Sequence, residues 1–176
     1  MTTLSVKKTS SKGIVIGKPF IVENPDLSAD RTPSKDSAAE IVLFEDALEK
    51  TQDELSELAA ASDIFEGHLM IAMDNSISDA VIAKINEGSN AQVALEDTVA
   101  EFAMIFEMME DEYMKERSAD VKDVGNRVMR KLKGIAGSSL SDINEKVILV
   151  AKDLASSDTA IIDLNYVMGF ITELGG

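Results

Sequence analysis

The sequence predicts an α/β domain that is interrupted by a long, all-helical insertion. Three observations lead to this fold class. Short β-branched runs occupy residues 12–23, a β-rich pattern with one short helix returns after Ser138, and the residues between them repeat apolar side chains at helical spacing. Strands of one sheet must pair, so the two ends of the chain are expected to form one unit. The predicted units are residues 1–30 with 138–176, and residues 31–137.

The N-terminal strand region leads into a polar linker. Residues 12–23 carry Ile and Val runs that are punctuated by Gly and Pro, a composition typical of short strands. Residues 24–33 are polar and contain two prolines, so a linker is expected there. Ser34 or Asp36 can then cap the first helix with a side-chain oxygen.

Three helices are predicted in the first half of the insertion. The first is long, because apolar residues recur at spacings of three and four along one face. These residues are Ile41, Phe44, Leu48, Thr51, Leu55 and Leu58. The second helix covers residues 63–73 and the third residues 77–87, with an interruption at residues 75–76. Residues 88–90, Gly-Ser-Asn, stop the third helix and start the next one.

Two further apolar stripes complete the insertion. The first predicts a second long helix and consists of Leu95, Val99, Phe102, Phe106, Met109 and Tyr113. The second consists of Val121, Val124, Val128 and Leu132. Arg130, Lys131 and Lys133, followed by Gly134, mark its C-terminal end. Long helices with this spacing and short connectors predict antiparallel hairpins that pack at a shallow angle.

The C-terminal segment returns to a β pattern. Residues 146–151 form a β run, residues 156–158 cap a short helix over 159–164, and residues 167–172 form the last strand. The sequence stops at the pair Gly175-Gly176. Because a glycine pair after a strand usually leads into a turn or an anion-binding loop, we expect the chain to be cut just before a functional residue.

Composition narrows the classes of function. The chain has 32 acidic and 17 basic residues and a formal net charge of -15, which disfavours nucleic acids and anionic membranes as partners. The charge favours a basic protein partner, although an acidic surface also serves solubility alone. Cysteine is absent, which excludes disulfides and thiolate nucleophiles. Because no apolar run reaches the length of a membrane span or a signal peptide, a cytoplasmic protein is expected.

Few residues offer chemistry of their own. The single histidine, His68, lacks the partners of a catalytic triad or a metal site. It is therefore expected either as a partly exposed helix residue or as a contact on a docking face. The acidic cluster within residues 107–112 is expected as a solvated turn rather than a pair of catalytic carboxylates. Four methionines lie on a second core-facing side of their helices or form an adaptable groove for a partner: Met70, Met73, Met104 and Met108.

Four stretches of the chain resemble one family. They are residues 12–17, Lys-Gly-Ile-Val-Ile-Gly; residues 64–68, Ile-Phe-Glu-Gly-His; residues 111–125; and residues 147–151 through 169–176. Together, in this order, they cover nearly the whole chain. By these motifs the chain is similar to the N-terminal domain of enzyme I of the bacterial phosphotransferase system, which is a phosphoenolpyruvate–protein phosphotransferase.

The resemblance implies a phosphotransfer enzyme of sugar transport. Enzyme I takes phosphate from phosphoenolpyruvate onto a histidine and passes it to a histidine of the small carrier HPr. Its N-terminal half has an α/β phosphohistidine subdomain with an inserted helical subdomain of two antiparallel hairpins, which docks HPr. The resemblance places the acceptor histidine just after the terminal Gly-Gly, and the phosphoenolpyruvate and Mg²⁺ sites in a C-terminal barrel. We therefore expect no catalytic residue and no metal site in this chain, which would be inactive and monomeric alone, whereas the full-length enzyme would be a homodimer.

The resemblance also assigns roles to residues. Thr159 matches the threonine that hydrogen-bonds the acceptor histidine, and Gly175 and Gly176 are expected to support that histidine. The implied HPr-binding residues are Glu66, His68, Met70, Ile71, Phe106, Met114, Lys115 and Arg117. Ser76 stands where the family often has a carboxylate, so one ion pair to HPr is expected to be missing. Two alternatives stay open: an enzyme I paralogue of a nitrogen-related or dihydroxyacetone-kinase branch, and a helical interaction module without enzymatic activity.

Overall fold

The computed structural model describes residues 13–22, 24–135, 140 and 143–173. The chain divides into two compact units, a helical unit of residues 25–137 and an α/β unit of residues 1–24 with 138–176. The boundary predicted after residue 30 is corrected to residue 24. The physical reason is that Leu27 and Ala29 pack against the core of the helical unit.

The described part of the helical unit contains five helices. They are α1 (Ser37–Ala59), α2 (Asp63–Ala72), α3 (Asn75–Asn86), α4 (Ala91–Glu107) and α5 (Glu112–Leu132). Four of them begin at an Asp or Asn whose side chain accepts a hydrogen bond from a backbone N–H of the first turn, which satisfies a donor that the helix itself leaves free. These capping residues are Asp36, Asp74, Asn90 and Asp111.

The first predicted stripe is confirmed. In α1, Phe44, Thr51 and Leu55 are buried, as the spacing requires. The core of the helical unit joins this face of α1 to α3, α4 and α5. Its buried members are Phe44, Ala47, Val81, Ile85, Ala91, Ala94, Leu95, Val128 and Met129.

The second predicted long helix is wrong in its length. The apolar spacing continues to Tyr113, but α4 ends at Glu107 and α5 begins at Glu112. A new helix starts there because the Asp111 side chain accepts a hydrogen bond from the N–H of Tyr113 at 2.8 Å. As a result Met109 and Tyr113 are exposed rather than in the core.

The interruption predicted at residues 75–76 is also corrected. Asp74 accepts a hydrogen bond from the N–H of Ser76 at 2.8 Å, so α3 begins at Asn75 and both residues belong to its first turn. At the other end of α3 the chain turns at Gly88, whose φ of 106° favours glycine. The stop predicted at this position is confirmed.

The α/β unit contains a three-stranded parallel sheet in its described part. The strands are β1 (Lys18–Ile21), β2 (Val147–Ala151) and β3 (Val167–Thr172), in the order β1-β2-β3. Strands from both ends of the chain therefore pair, as predicted. Residues 13–17, which were also expected to be strand, have no regular structure. The buried core of this unit consists of Leu140, Ile143, Val147, Leu149, Ala151, Ile162 and Val167.

A short helix, α6 (Ser156–Ala160), connects β2 to β3. It begins earlier than predicted, because its N-cap is Ala155. The backbone N–H of Ala155 donates to the side chain of Asp158 at 3.1 Å, which fixes the first turn. The helix expected over residues 159–164 is corrected accordingly.

Candidate docking surface

Exposed methionines distinguish the surface of the helical unit. Met70 lies on α2 and Met73 directly follows it, while Met104 lies on α4 and Met108 is its C-terminal cap residue. All four side chains are largely exposed. Of the two interpretations offered by the sequence, a second core-facing side is excluded. An exposed group of flexible apolar side chains is typical of a surface that adapts to a partner.

The eight residues implied as HPr contacts differ in exposure. Glu66, Met70 and Lys115 are exposed. Four more are half-buried and present only part of their side chains: Ile71, Phe106, Met114 and Arg117. His68 is buried, with 2% of its surface exposed.

The burial of His68 corrects the expectation of a partly exposed helix residue. Its Nε2 atom lies 3.2 Å from Oδ1 of Asp120, which is a hydrogen-bond distance, and its Nδ1 atom lies 3.6 Å from Oδ2 of Asp123. The edge of the imidazole also meets Phe65, with ring centroids 5.9 Å apart. Because both carboxylates belong to α5, His68 fastens α2 to α5 and does not present itself at the surface.

Arg117 is a cation that the structure holds in place at the start of α5. Its guanidinium donates to the hydroxyl of Tyr113 at 2.8 Å and lies 5.3 Å from the centroid of the same ring. A Cβ added at Gly67 of α2 would be 3.3 Å from Nη1 of Arg117. The guanidinium therefore rests against the backbone of α2, where a small residue leaves room for it. A partly ordered cation loses less conformational entropy when it binds a partner.

Glu107 fixes the turn between α4 and α5. It accepts hydrogen bonds from Lys122 Nζ at 2.5 Å and from Ser118 Oγ at 2.8 Å. These two hydrogen bonds, with that of Lys122 the larger cause, hold the pKa of the Glu107 carboxyl below its ordinary value of 4.5. Glu107 therefore links the exposed turn between α4 and α5 to the first half of α5.

A second set of charges fastens α1 to α5. Glu54 pairs with Arg127 at 2.5 Å and with Lys131 at 2.6 Å, and the Arg127 guanidinium lies 5.5 Å from the centroid of the Phe65 ring. Sequence reasoning missed these residues and the two aspartates beside His68. The signal that could have found them is a polar stripe at helical spacing on α5, formed by Asp120, Asp123, Arg127 and Lys131.

The residues expected near the acceptor histidine lie in the α/β unit. Thr159 is an exposed residue of α6, whereas Gly175 and Gly176 lie outside the described residues. Among the described residues, no three His, Cys, Asp or Glu side chains are placed to hold a metal ion. Within the same part of the chain, no helix combines the length and hydrophobicity that crossing a bilayer requires.

Relatives of the chain share its architecture. A solution NMR structure of Enzyme I matches with a TM-score of 0.82 and 36% identity, over 94% of this chain and 72% of that chain. A structure of the N-terminal domain of Enzyme 1 - Nitrogen matches with a TM-score of 0.69, over 93% of this chain and 71% of that one. Its identity of 22% shows a common fold alone.

Sequence comparison identifies the family. Residues 8–117 match the N-terminal family profile of PEP-utilising enzymes. The phosphoenolpyruvate-protein phosphotransferase of Priestia megaterium is 40% identical over 177 residues, which cover 95% of this chain and 31% of that protein. The chain thus spans about a third of the length of the curated relatives it matches. The chain belongs to the N-terminal family of PEP-utilising enzymes and, within it, to the Enzyme I phosphoenolpyruvate-protein phosphotransferases that its motifs resemble.

Proposed function

We propose that this chain is the docking part of a phosphoenolpyruvate-protein phosphotransferase and that its helical unit binds the phosphocarrier HPr. The observation that carries the proposal is the set of exposed methionines on α2 and at the end of α4, together with the ordered Arg117 at the start of α5. An apolar centre with a charged rim is the usual anatomy of a protein interface. Met70 would contribute to the centre, and Glu66, Lys115 and Arg117 to the rim.

His68 is proposed to position the docking surface rather than to touch HPr or carry phosphate. Its two ring nitrogens face the carboxylates of Asp120 and Asp123 at 3.2 and 3.6 Å. A phosphoryl group on either nitrogen would be repelled by these carboxylates and would have no room, because the ring is buried. Since His68 is the single histidine, phosphate transfer through this sequence alone has no acceptor.

Phosphoryl transfer mostly requires positioning and charge stabilisation, which explains how a docking unit serves the reaction. Holding HPr at a fixed place lets its histidine approach the acceptor of the enzyme in line. We propose that the acceptor histidine, supported by Thr159, Gly175 and Gly176, and the sites for phosphoenolpyruvate and Mg²⁺ belong to the complete enzyme. Dimerisation is assigned to the complete enzyme as well. We also propose a cytoplasmic location, which the relationship to the phosphoenolpyruvate-protein phosphotransferases supports.

The helical unit is proposed to work as two antiparallel hairpins in an α/β phosphohistidine-type domain. Gln52 of α1 donates to the carbonyl of Ala72 at the end of α2 at 2.8 Å, which ties the first hairpin. In the second hairpin α4 and α5 approach closely, because Gly125 lies against Val99. The relative at 36% identity supports Enzyme I itself over the nitrogen-related paralogue.

A titration followed by NMR tests docking. Unphosphorylated HPr is added to the labelled chain, and shifts are expected in residues 64–73 and 104–117. Met70→Asp places a charge in the apolar centre and is expected to weaken binding at least about tenfold, or about 1.4 kcal/mol. The matched control is Val42→Asp, which alters an equally exposed apolar residue on α1 and should leave the affinity unchanged.

The outcome also separates the alternatives. Phosphorylated HPr is expected to transfer no phosphate to this chain. If HPr causes no NMR shift in residues 64–117, the docking proposal is contradicted. The alternative of a helical interaction module without enzymatic activity would then fit better. Equal weakening by both variants would move the HPr site away from the exposed methionines.

A further inference from the structure

We propose that Met70, Met73, Met104 and Met108 are sites of reversible oxidation by hydroperoxides, and that their oxidation releases HPr. The oxidation of these methionines is inferred from their exposure, whereas the release of HPr rests on the proposed function. The four side chains are 68%, 63%, 60% and 79% exposed, respectively. Met129, in the core of the helical unit, is 4% exposed and provides an internal reference.

The reaction uses groups that the chain presents. The thioether sulfur attacks one oxygen of the hydroperoxide, the O–O bond breaks, and an S–O bond forms. Sulfur loses two electrons and becomes a sulfoxide, while the peroxide is reduced to water or an alcohol. With no cysteine in the sequence, methionine is the only sulfur-containing residue type that an oxidant can meet. Accessibility of the sulfur decides which methionine reacts first.

The positions of the four residues make their oxidation relevant to docking. Met70 and Met73 are spaced i, i+3 at the end of α2, and Met104 and Met108 are spaced i, i+4 at the end of α4, so each pair lies on one side of its helix. A sulfoxide is polar and less flexible than the thioether that it replaces. Oxidation therefore removes the apolar and adaptable character of the surface while leaving the buried core intact.

Mass spectrometry after timed exposure to hydrogen peroxide tests which methionines are oxidised first. The expected result is the gain of one oxygen atom at Met70, Met73, Met104 and Met108 well before Met129 gains one. The thermal unfolding midpoint is expected to stay unchanged at that stage, because none of the four side chains packs in the core. Oxidation of Met129 at the same rate, or resistance of the four, would overturn the site assignment.

The affinity for HPr, measured before and after this partial oxidation, tests whether oxidation releases HPr. We expect the dissociation constant to rise at least about tenfold and to recover after treatment with methionine sulfoxide reductases. The control is Met129→Leu in the core, which should bind HPr like the parent chain and should still lose affinity in peroxide. If the untreated chain fails to bind HPr, the proposed function fails while the order of oxidation remains readable. If it binds and oxidation leaves the affinity unchanged, the regulatory inference is overturned.

Discussion

At the scale of single residues, Gly125 shows how closely α4 and α5 pack. A Cβ added at Gly125 would lie 2.5 Å from Cγ2 and 3.0 Å from Cγ1 of Val99. The side chain of Val99 is branched at Cβ and stiff, so it cannot move aside without a backbone shift. Glycine is thus required here by a close approach of two helices and not by its backbone conformation.

Gly125→Ala is expected to destabilise the protein. Overpacking costs about 1–3 kcal/mol, which exceeds the gain of about 1 kcal/mol that alanine brings to a helix interior. The matched control is Gly67→Ala on α2, where the added Cβ would meet only the end of the long Arg117 side chain, at 3.3 Å. Urea denaturation measures both variants. A stability of Gly125→Ala equal to or above that of Gly67→Ala would contradict the close packing.

His68 marks the limit of prediction from sequence at this scale. Its spacing on α2 fits a helix flank, and a polar residue there is expected to reach water. Its burial depends on Asp120 and Asp123, and Asp120 lies 52 residues away along the chain. Local patterns carry no information on such partners, because the packing of α2 on α5 decides them.

At the scale of elements, Asn90 performs two tasks at the start of α4. Its side-chain oxygen caps the helix by accepting from the N–H of Val93 at 2.8 Å. Its amide nitrogen donates to the carbonyls of Asp30 and Thr32 at 2.6 and 2.7 Å, which fastens the linker to α4. The amide N–H groups of Ala29 and Asp30 also donate to side chains of this helix.

Two substitutions at Asn90 should separate these tasks. Asn90→Ser keeps a capping oxygen and loses the two bonds to the linker, so we expect a loss of about 1 kcal/mol. Asn90→Ala loses the capping bond as well as the two bonds to the linker, and we expect its stability to fall by about 1 kcal/mol more. Chemical denaturation gives the free energies, and hydrogen exchange of residues 27–32 should rise in both variants. Equal stability of the two variants would show that the cap contributes nothing.

The turn between α4 and α5 predicts a pH dependence. Because hydrogen bonds lower the pKa of folded Glu107, its carboxylate stabilises the fold above the ordinary value of 4.5, and this contribution is lost as the pH falls through the folded value. Glu107→Gln should therefore be less stable than the parent chain at neutral pH. Below pH 4.5 the urea midpoints of the two proteins should converge. Glu110→Gln, on the same exposed turn, is the control, and a gap that persists in acid would refute the assignment.

The elements differ in how far the sequence determined them. The stripe from Ile41 to Leu58 predicts α1 correctly, because apolar periodicity and burial coincide along that helix. The stripe from Leu95 to Tyr113 has the same spacing, yet it crosses a turn without glycine or proline. The capping bond of Asp111 and the return of α5 onto α4 break it, and Met109 and Tyr113 become surface residues. Periodicity alone cannot distinguish a buried face of a helix from an exposed one.

At the scale of the whole molecule, the two units have separate cores. The helical core is formed by residues of α1, α3, α4 and α5, and the core of the α/β unit by residues around its parallel sheet. Each unit thus buries its own apolar surface, which is the condition for independent folding. The helical unit is continuous in sequence, as residues 25–137, whereas the α/β unit is assembled from both ends of the chain.

This arrangement predicts that residues 25–137 fold and dock by themselves. The isolated segment should show a helical circular dichroism spectrum and a cooperative urea transition, because its core needs no residue from the rest of the chain. Its affinity for HPr should stay within about threefold of that of the whole chain, a difference of about 0.7 kcal/mol. Phe44→Ala, which empties a fully buried position, should cost about 3–5 kcal/mol in the segment as in the whole chain. A segment that unfolds without cooperativity, or is insensitive to this substitution, would show that the helical core depends on the α/β unit.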